Sequence, residues 1–320
     1  MAKKLPWPLH NEKPLMLAPM QGLTNRALRG LFIEWVRPDV VFTEFLRVRP
    51  GSKKSLSRVN VAEVSAHNGA VPLVAQLIGR DPRALVAAAE LAVDRGVEHL
   101  NINMGCPFGR MTARSAGGAL LKDAAGVEDM LIALRRAIPG SFSVKLRSGY
   151  DDPEQIFSLL PLFEDVGVDF LVIHPRTVIQ RYAGRADHTI TGRVVSATRL
   201  PVIANGDVTT PAEGREILDK TAAAGLMLGR GAIGDPLLFK RLRGAAAEEP
   251  SRQDRAAELR YYLQELLQRY REIFHGDTQV LCKLKAVLAY VTDQDFAKNI
   301  KKLQRCKRLE VFVDLVDGIA

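Results

Sequence analysis

Three polar side chains capable of chemistry follow short apolar runs, each in a setting that restricts its role. Cys106 lies in Gly105-Cys106-Pro107, just past the run His99-Leu100-Asn101-Ile102. Proline blocks a regular continuation, and glycine leaves room for a ligand. A loop thiol of this kind is accessible. With an ordinary pKa of about 8.5 it is mostly protonated at neutral pH and able to donate a proton. The same sulfur could serve as a nucleophile, or pack as a small hydrophobe. Cys282 and Cys306, on apolar helical stretches, read as that last case.

Lys145 ends the run Phe142-Ser143-Val144. A lysine there is costly if buried without a partner. Three functions suit it: pairing with a carboxylate, forming a Schiff base, or placing positive charge near a reducible ring. The plain alternative is a side chain snorkelling to the rim. His174 stands between Ile173 and Pro175 at the end of Phe170-Leu171-Val172-Ile173. It reads as a ligand contact or as a satisfied structural histidine. Two further runs end in Asn205-Gly206-Asp207 and Gly229-Arg230-Gly231. Glycine lets backbone approach an anion and arginine adds charge, so these loops suit a phosphate; tight turning alone is the alternative. The phosphate would belong to FMN or to a sugar or heterocyclic phosphate.

Something must bring these positions together. Eight apolar, β-branched runs each stop abruptly at polar or glycine residues: Leu15 to Ala18, Val40 to Phe42, Pro72 to Ala75, His99 to Ile102, Phe142 to Val144, Phe170 to Ile173, Pro201 to Ala204 and Leu226 to Leu228. Amphipathic stretches lie between them. Asp81-Pro82, Asp152-Pro153 and Thr210-Pro211 start three of these, and Gly96, Gly167 and Gly225 close them. This alternation predicts an α/β fold, a (β/α)8 TIM barrel. An open doubly wound sheet would show fewer strands and a Gly-x-Gly-x-x-Gly turn after the first. In a barrel the strand C-termini share one rim. That rim would collect Gln76, Asn103, Cys106, Lys145, His174, Asn205 and Arg230.

From about Glu248 glycine and proline nearly vanish while helical periodicity continues. The chain therefore divides into a barrel over residues 1–245 and a small all-helical domain over 246–320. Across its 320 residues the net charge is +9 and the isoelectric point about 9.6, which favours polyanionic partners. Two basic runs contribute: Arg47, Arg49, Lys53, Lys54 and Arg58, then Lys298, Lys301, Lys302, Arg305, Lys307 and Arg308. Three cysteines with no Cys-x-x-Cys pair speak against zinc or a disulfide framework and suit a reducing compartment. The first twenty residues, with Lys3, Lys4 and three prolines, do not read as a secretory signal, and no run is long enough to span a bilayer. A cytoplasmic location, a monomer and no metal are expected.

Taken jointly, Leu17-Ala18-Pro19-Met20-Gln21-Gly22, Asn103-Met104-Gly105-Cys106-Pro107, His174-Pro175-Arg176-Thr177 with Gln180, Tyr182 and Ala186-Asp187, Asn205-Gly206-Asp207, and Gly229-Arg230-Gly231 resemble the signature set of flavin-dependent tRNA-dihydrouridine synthases. The resemblance implies a TIM barrel holding FMN and a helical tRNA-binding domain. It implies that Pro19, Met20, Gln21, Gln76, Lys145 and His174 surround the cofactor, with Asn205, Gly206, Asp207, Gly229 and Arg230 on its phosphate. Asn103 and Arg147 would contact the uracil. Arg176, Lys283 and Lys285 would join them in binding tRNA, and Cys106 would be the acid. Thr43-Glu44-Phe45, Arg47-Val48, Val74-Ala75-Gln76-Leu77, His188 and Lys283-Leu284-Lys285 resemble the subgroup acting on uridine 16. The chain departs from the family pattern at Phe108-Gly109, Asn101 and Pro175.

The implied reaction uses NADPH as electron donor. Hydride arrives at C6 of a flipped-out uracil while Cys106 protonates C5. Lys145 would stabilise negative charge on the reduced cofactor. Another FMN barrel, such as a dihydroorotate dehydrogenase or a small-molecule ene-reductase, would share the rim but leave the helical domain and basic runs without purpose. An RNA-binding module on a dead barrel would leave Gln76, Cys106, Lys145 and His174 without purpose.

Overall fold

The apolar runs pair side by side, all in parallel. The computed structural model describes residues 5–8, 13–48, 50–51, 56–66, 68–108 and 115–320. In chain order the elements are β1 (Leu15–Leu17), α1 (Arg26–Trp35), β2 (Val40–Phe42), β3 (Leu46–Arg47), α2 (Arg58–Val64), β4 (Leu73–Ile78), α3 (Pro82–Asp94) and β5 (His99–Met104). A 3-10 turn (Gly117–Lys122) precedes α4 (Ala124–Ala137) and β6 (Ser141–Gly149). Then come α5 (Gln155–Val166), β7 (Phe170–Thr177), α6 (His188–Ala197), β8 (Val202–Asn205), α7 (Pro211–Thr221) and β9 (Gly225–Leu228). Everything beyond is helical: α8 (Arg230–Gly234), α9 (Leu238–Leu242), α10 (Arg252–Ile273), α11 (Asp277–Leu288), α12 (Ala297–Arg305) and α13 (Leu309–Asp317).

Strand order runs β2-β1-β9-β8-β7-β6-β5-β4, and β2 pairs with β4 to close the ring. The eight expected runs are the eight ring strands. The short β3, absent from the sequence reading, lies beside β4 alone. Strand ends differ more. Lys145, read as terminating a strand, sits inside β6, and His174 sits inside β7. Polar side chains look like stop signals in the sequence, but a barrel strand continues through them when they face one another across a polar mouth.

Caps match the reading of the breakers. Asp81 accepts from the Ala84 N–H at the start of α3. Thr210 and Glu213 form a reciprocal capping box on α7, with Pro211 in the first turn. The barrel interior holds Met16, Val40, Phe42, Val74, Phe170, Val172, Ile203 and Met227. Trp7 packs edge-on against Phe170, with ring centroids 4.9 Å apart.

The C-terminal helices share their apolar core with the outer face of the barrel. Leu28, Leu31 and Phe32 of α1 share one apolar cluster with Leu259, Tyr262, Leu263, Leu266 and Leu284. Trp35 lies 4.8 Å from the Tyr261 ring, and the Arg269 guanidinium pairs with Glu34 at 2.5 Å. Cys282 is exposed, contrary to its reading as a buried hydrophobe. It falls on the outward side of α11, whose inward side is Val280, Leu281, Leu284 and Val287. Cys306 is half-buried. No helix among the described residues is long and apolar enough to cross a membrane.

Candidate active site

Period-two alternation decides which side chains meet. On β7, Phe170 and Val172 lie in the barrel interior, so His174 and Arg176 follow them on that side. By the same alternation Gln76 follows Val74 and Asn205 follows Ile203. Each of these strands thus runs from an apolar floor to a polar mouth. Register aligns Asn103 with Lys145, and Arg147 with His174. A cavity of about 1440 Å³ opens here. Pro19, Met20, Gln21, Asn103, Cys106, Lys145, Arg147, His174, Arg176, Asn205, Gly206, Asp207, Gly229 and Arg230 all line it. Gln76, Lys283 and Lys285 do not.

Gln76 is fully buried below the cavity mouth. Its Nε2 donates to Asn101 Oδ1 and its Oε1 accepts from Asn103 Nδ2, each at 2.8 Å. Asn101 Nδ2 donates to Ser143 Oγ at 2.8 Å. At the other end, Asn103 Oδ1 accepts from the Cys106 N–H at 2.9 Å and the Gly105 N–H at 3.1 Å. Every amide orientation in this chain is set by its neighbour, so a buried relay fixes the cysteine loop. Arg147 fixes it from the other side: Nε donates to Gly105 O at 3.0 Å, and Nη1 to the carbonyls of Thr177 and Arg181. The room left by Gly105 goes to the neighbouring strand, since a Cβ there would lie 3.3 Å from the Leu146 carbonyl carbon. Gly117 (φ +63°) abuts Cys106 so closely that a Cβ would come within 3.0 Å of the cysteine's own.

The charges follow from burial. Desolvation raises the Cys106 thiol above its ordinary value; the Phe108 N–H, Arg147, Lys145 and Arg47 only partly offset this. The group therefore stays protonated at neutral pH, as a proton donor must. One side of Cys106 packs near Ile78 and Ala116. Desolvation, with the charge of Arg147, lowers the Lys145 amine to about 7. Its hydrogen bond goes to a neutral amide, Asn205 Oδ1, at 2.8 Å. Burial and then Lys145, Arg147, Arg176 and Arg230 hold His174 well below its usual range, so the imidazole is neutral. Arg176 Nη1 lies 2.9 Å from His174 Nε2. Arginine only donates, so Nε2 accepts and the proton sits on Nδ1, the donor left for a ligand.

Asp207 gathers the other arginines. Its carboxylate accepts from Arg176 (2.5 and 3.0 Å), Arg230 (2.8 Å) and the Ala186 N–H (2.7 Å). Burial acts to raise its pKa, but these donors outweigh burial and the net shift is downward. All five N–H groups of Arg176 are engaged, the remainder with Gly184 O and Ala183 O. Contact between Arg176 and a substrate would require giving one up. Lys283 Nζ reaches back from α11 to Gly22 O at 3.1 Å, while the Gly22 N–H donates to Glu44 at 2.9 Å. The loop carrying Pro19 to Gln21 is thus held from both sides. Lys285 donates to the Cys306 carbonyl.

The family model for dihydrouridine synthases matches residues 16–317. The chain belongs to the dihydrouridine synthase family. Similar curated relatives include tRNA-dihydrouridine synthase B of Vibrio cholerae, 34% identical over 230 residues, spanning 72% of this chain and 70% of that protein. A probable tRNA-dihydrouridine synthase of Rhodobacter capsulatus is 33% identical over 243 residues, spanning 74% of this chain and 73% of its own length. Among solved structures, morphinone reductase superposes with a TM-score of 0.54 at 15% identity, covering 74% of this chain and 87% of that one. That likeness is one of barrel fold.

Several residues of this dihydrouridine synthase family member make contacts at the site that the sequence reading did not assign to them. His188 Nε2 donates to Gly206 O at 3.0 Å and so supports the glycine loop. Asn101 and Ser143 anchor the amide relay. Tyr182, noted only as part of a motif, lies beneath Arg230 and Arg147, whose guanidinium carbons are 4.6 and 5.5 Å from its ring centre. Period-two spacing back from Asn103 and Lys145 is the signal that finds Asn101 and Ser143. In the first basic run, Arg47 lines the cavity and Arg58 is exposed; Arg49, Lys53 and Lys54 lie outside the described residues, as do Gly109, Lys3 and Lys4. The six basic residues of the second run are exposed, with Lys298, Lys301, Lys302 and Arg305 along one side of α12.

Proposed function

We propose that this chain reduces the C5–C6 double bond of uridine in tRNA, with FMN and NADPH, and that Cys106 is the proton donor. The observation that carries the reading is that one cavity of a dihydrouridine synthase family chain holds both a protonated thiol, Cys106, and a half-buried amine, Lys145, whose hydrogen bond goes to a neutral amide.

The cavity residues fit a flavin mononucleotide. Around His174 the charges of Lys145, Arg147, Arg176 and Arg230 converge, so this part of the cavity favours an anion, although further carboxylates line its outer reaches. Gly206 (φ +124°) has no space for a side chain, since a Cβ would lie 3.0 Å from His174. At Gly229 a Cβ would meet Ala18 and Met20 at 3.6 Å, an ordinary contact distance. The Gly206 and Gly229–Gly231 loops with Arg230 would hold the phosphate, and Pro19 to Gln21, Lys145 and His174 the ring. When bound, FMN supplies the hydride that uracil accepts at C6.

The protein's own part is positioning and proton transfer. The Gln76–Asn103 relay and Arg147 hold the Cys106 loop, and the thiol gives its proton to C5. Lys145 acquires full charge beside an anion, because a nearby negative group opposes the desolvation that lowers its pKa. The exposed cations of α12 support binding of the tRNA backbone, where charge and shape outweigh base reading.

Incubating the purified protein with FMN, NADPH and unmodified tRNA tests this. Dihydrouridine should appear, and sequencing should locate it, with uridine 16 the first position to examine. Cys106→Ala should retain yellow colour and NADPH oxidation while losing uridine reduction. Normal dihydrouridine formation by that variant would remove the thiol from the chemistry.

A further inference from the structure

Asp207 holds a left-handed backbone, φ +52°, directly after Gly206 at φ +124°. Glycine adopts such angles freely. An aspartate there is strained and would relax if the peptide plane before it turned over. Two contacts hold that plane. His188 Nε2 lies 3.0 Å from Gly206 O. A carbonyl only accepts, so Nε2 carries the proton, and Nδ1 faces Thr191 Oγ1 at 3.2 Å. From the same segment the Ala186 N–H donates to the Asp207 carboxylate at 2.7 Å. The Gly206–Asp207 peptide is thus fixed on both of its sides.

Planarity decides which way that peptide faces. It is trans, so the Gly206 carbonyl and the Asp207 N–H point in opposite directions. Gly206 and Asp207 line the cavity, and His188 stands outside its lining. The carbonyl is therefore turned away from the cavity and the Asp207 N–H toward it. Among the described residues no acceptor meets that N–H. The geometry points to His188 as a positioning residue of the cofactor's phosphate site: by holding the Gly206 carbonyl outward it presents the Asp207 N–H to the phosphate. This rests on the FMN reading above. Were the plane to turn over, Asp207 would reach the negative φ that side chains prefer, and an oxygen would face the phosphate in place of a donor. His188 thereby favours a flavin that carries phosphate over one that does not, and it touches neither.

The test compares FMN with riboflavin, which has the same ring and no phosphate. Binding of each to the flavin-stripped chain is followed by quenching of flavin fluorescence. His188→Phe keeps a ring and removes the donor; His188→Gln keeps an N–H of similar reach. His188→Phe should weaken FMN binding about ten- to a hundredfold and leave riboflavin binding unchanged, and His188→Gln should recover most of the loss. The wild type gives a check that does not depend on how the variants fold. Carbonyl-labelled glycine with amide-labelled aspartate singles out three peptides by NMR: Gly206–Asp207, Gly234–Asp235 and Gly276–Asp277. The Asp207 signal, assigned by its loss in Asp207→Asn, should move when FMN binds and stay when riboflavin binds. An Asp207 signal indifferent to which flavin binds overturns the proposal. So do equal losses for both flavins, or no loss for either, in a His188→Phe variant that melts as the wild type does, and so does a His188→Gln variant as weak as His188→Phe. A wild type that binds FMN no more tightly than riboflavin overturns the phosphate assignment beneath it as well.

Discussion

Lys145 Nζ donates to Asn205 Oδ1 at 2.8 Å, and Asn205 Nδ2 in turn donates to Met227 O at 2.8 Å. The amide is thereby oriented toward the amine but offers it no charge. With the folded pKa lowered from 10.5 to about 7, the unfolded chain binds the extra proton between those limits. Stability of the ligand-free protein should accordingly rise with pH across that window and be insensitive to this group below it. Lys145→Met should flatten the rise and increase the melting temperature near neutrality, while weakening FMN binding. Anaerobic calorimetry at pH 8 in two buffers of different ionisation enthalpy should show proton uptake when reduced FMN binds, because the anionic ring restores the ammonium.

The amide relay should fail from its far end. Asn101→Leu leaves Gln76 Nε2 without its acceptor and should cost about 1–3 kcal/mol in urea unfolding. Displacing Asn103 and the cysteine loop should lower kcat for uridine reduction about ten- to a hundredfold. Asn101→Asp should be milder, since a carboxylate still accepts from Gln76. Equal defects in the two variants would show that the relay does not orient the loop.

Asp207 is the shared acceptor of two arginines, one of them Arg176 at 2% side-chain exposure. Asp207→Asn should cost about 2–4 kcal/mol, as a buried guanidinium loses its countercharge. The sign with pH follows from the depressed carboxyl. Its stabilisation is present above the unfolded value of 3.8 and is lost as pH falls through the lower folded value. The variant should therefore show a weaker loss of stability in acid than the parent, measured by melting at pH 2 to 6.

The thiol supplies an alkaline limb. Because Cys106 is raised above the ordinary range, kcat for dihydrouridine formation should hold across neutrality and fall only when the thiol ionises in alkali. A single-turnover pH profile checks this. A fall centred near neutrality would assign proton donation to another group.

The barrel was legible because each ring strand announces itself as a β-branched run, and caps such as Asp81 and Thr210 mark where helices begin. Strand ends were less legible. Asn103, Lys145 and His174 look like terminators until register shows them facing one another. The candidate site residues came largely from a resemblance whose motifs are strung along the chain, and it does not foretell which partners Gln76, Arg176, Lys283 and Lys285 find in the fold. Their residue types suit ligands, yet their bonds run to Asn103, Asp207, Gly22 and Cys306. Such bonds depend on which side chains the fold brings near, and chain spacing does not encode that. Phe108 was legible only as a departure from pattern.

The apolar seam between α1 and α10 bears on how such proteins can be recombined. A chimaera that grafts residues 246–320 of a relative onto this barrel would set foreign side chains against Phe32, Trp35 and Glu34, and would deprive Gly22 of Lys283. Transplanting target choice thus requires carrying the outer face of α1 along with the helical segment, and heat should melt the parent chain in one transition rather than two.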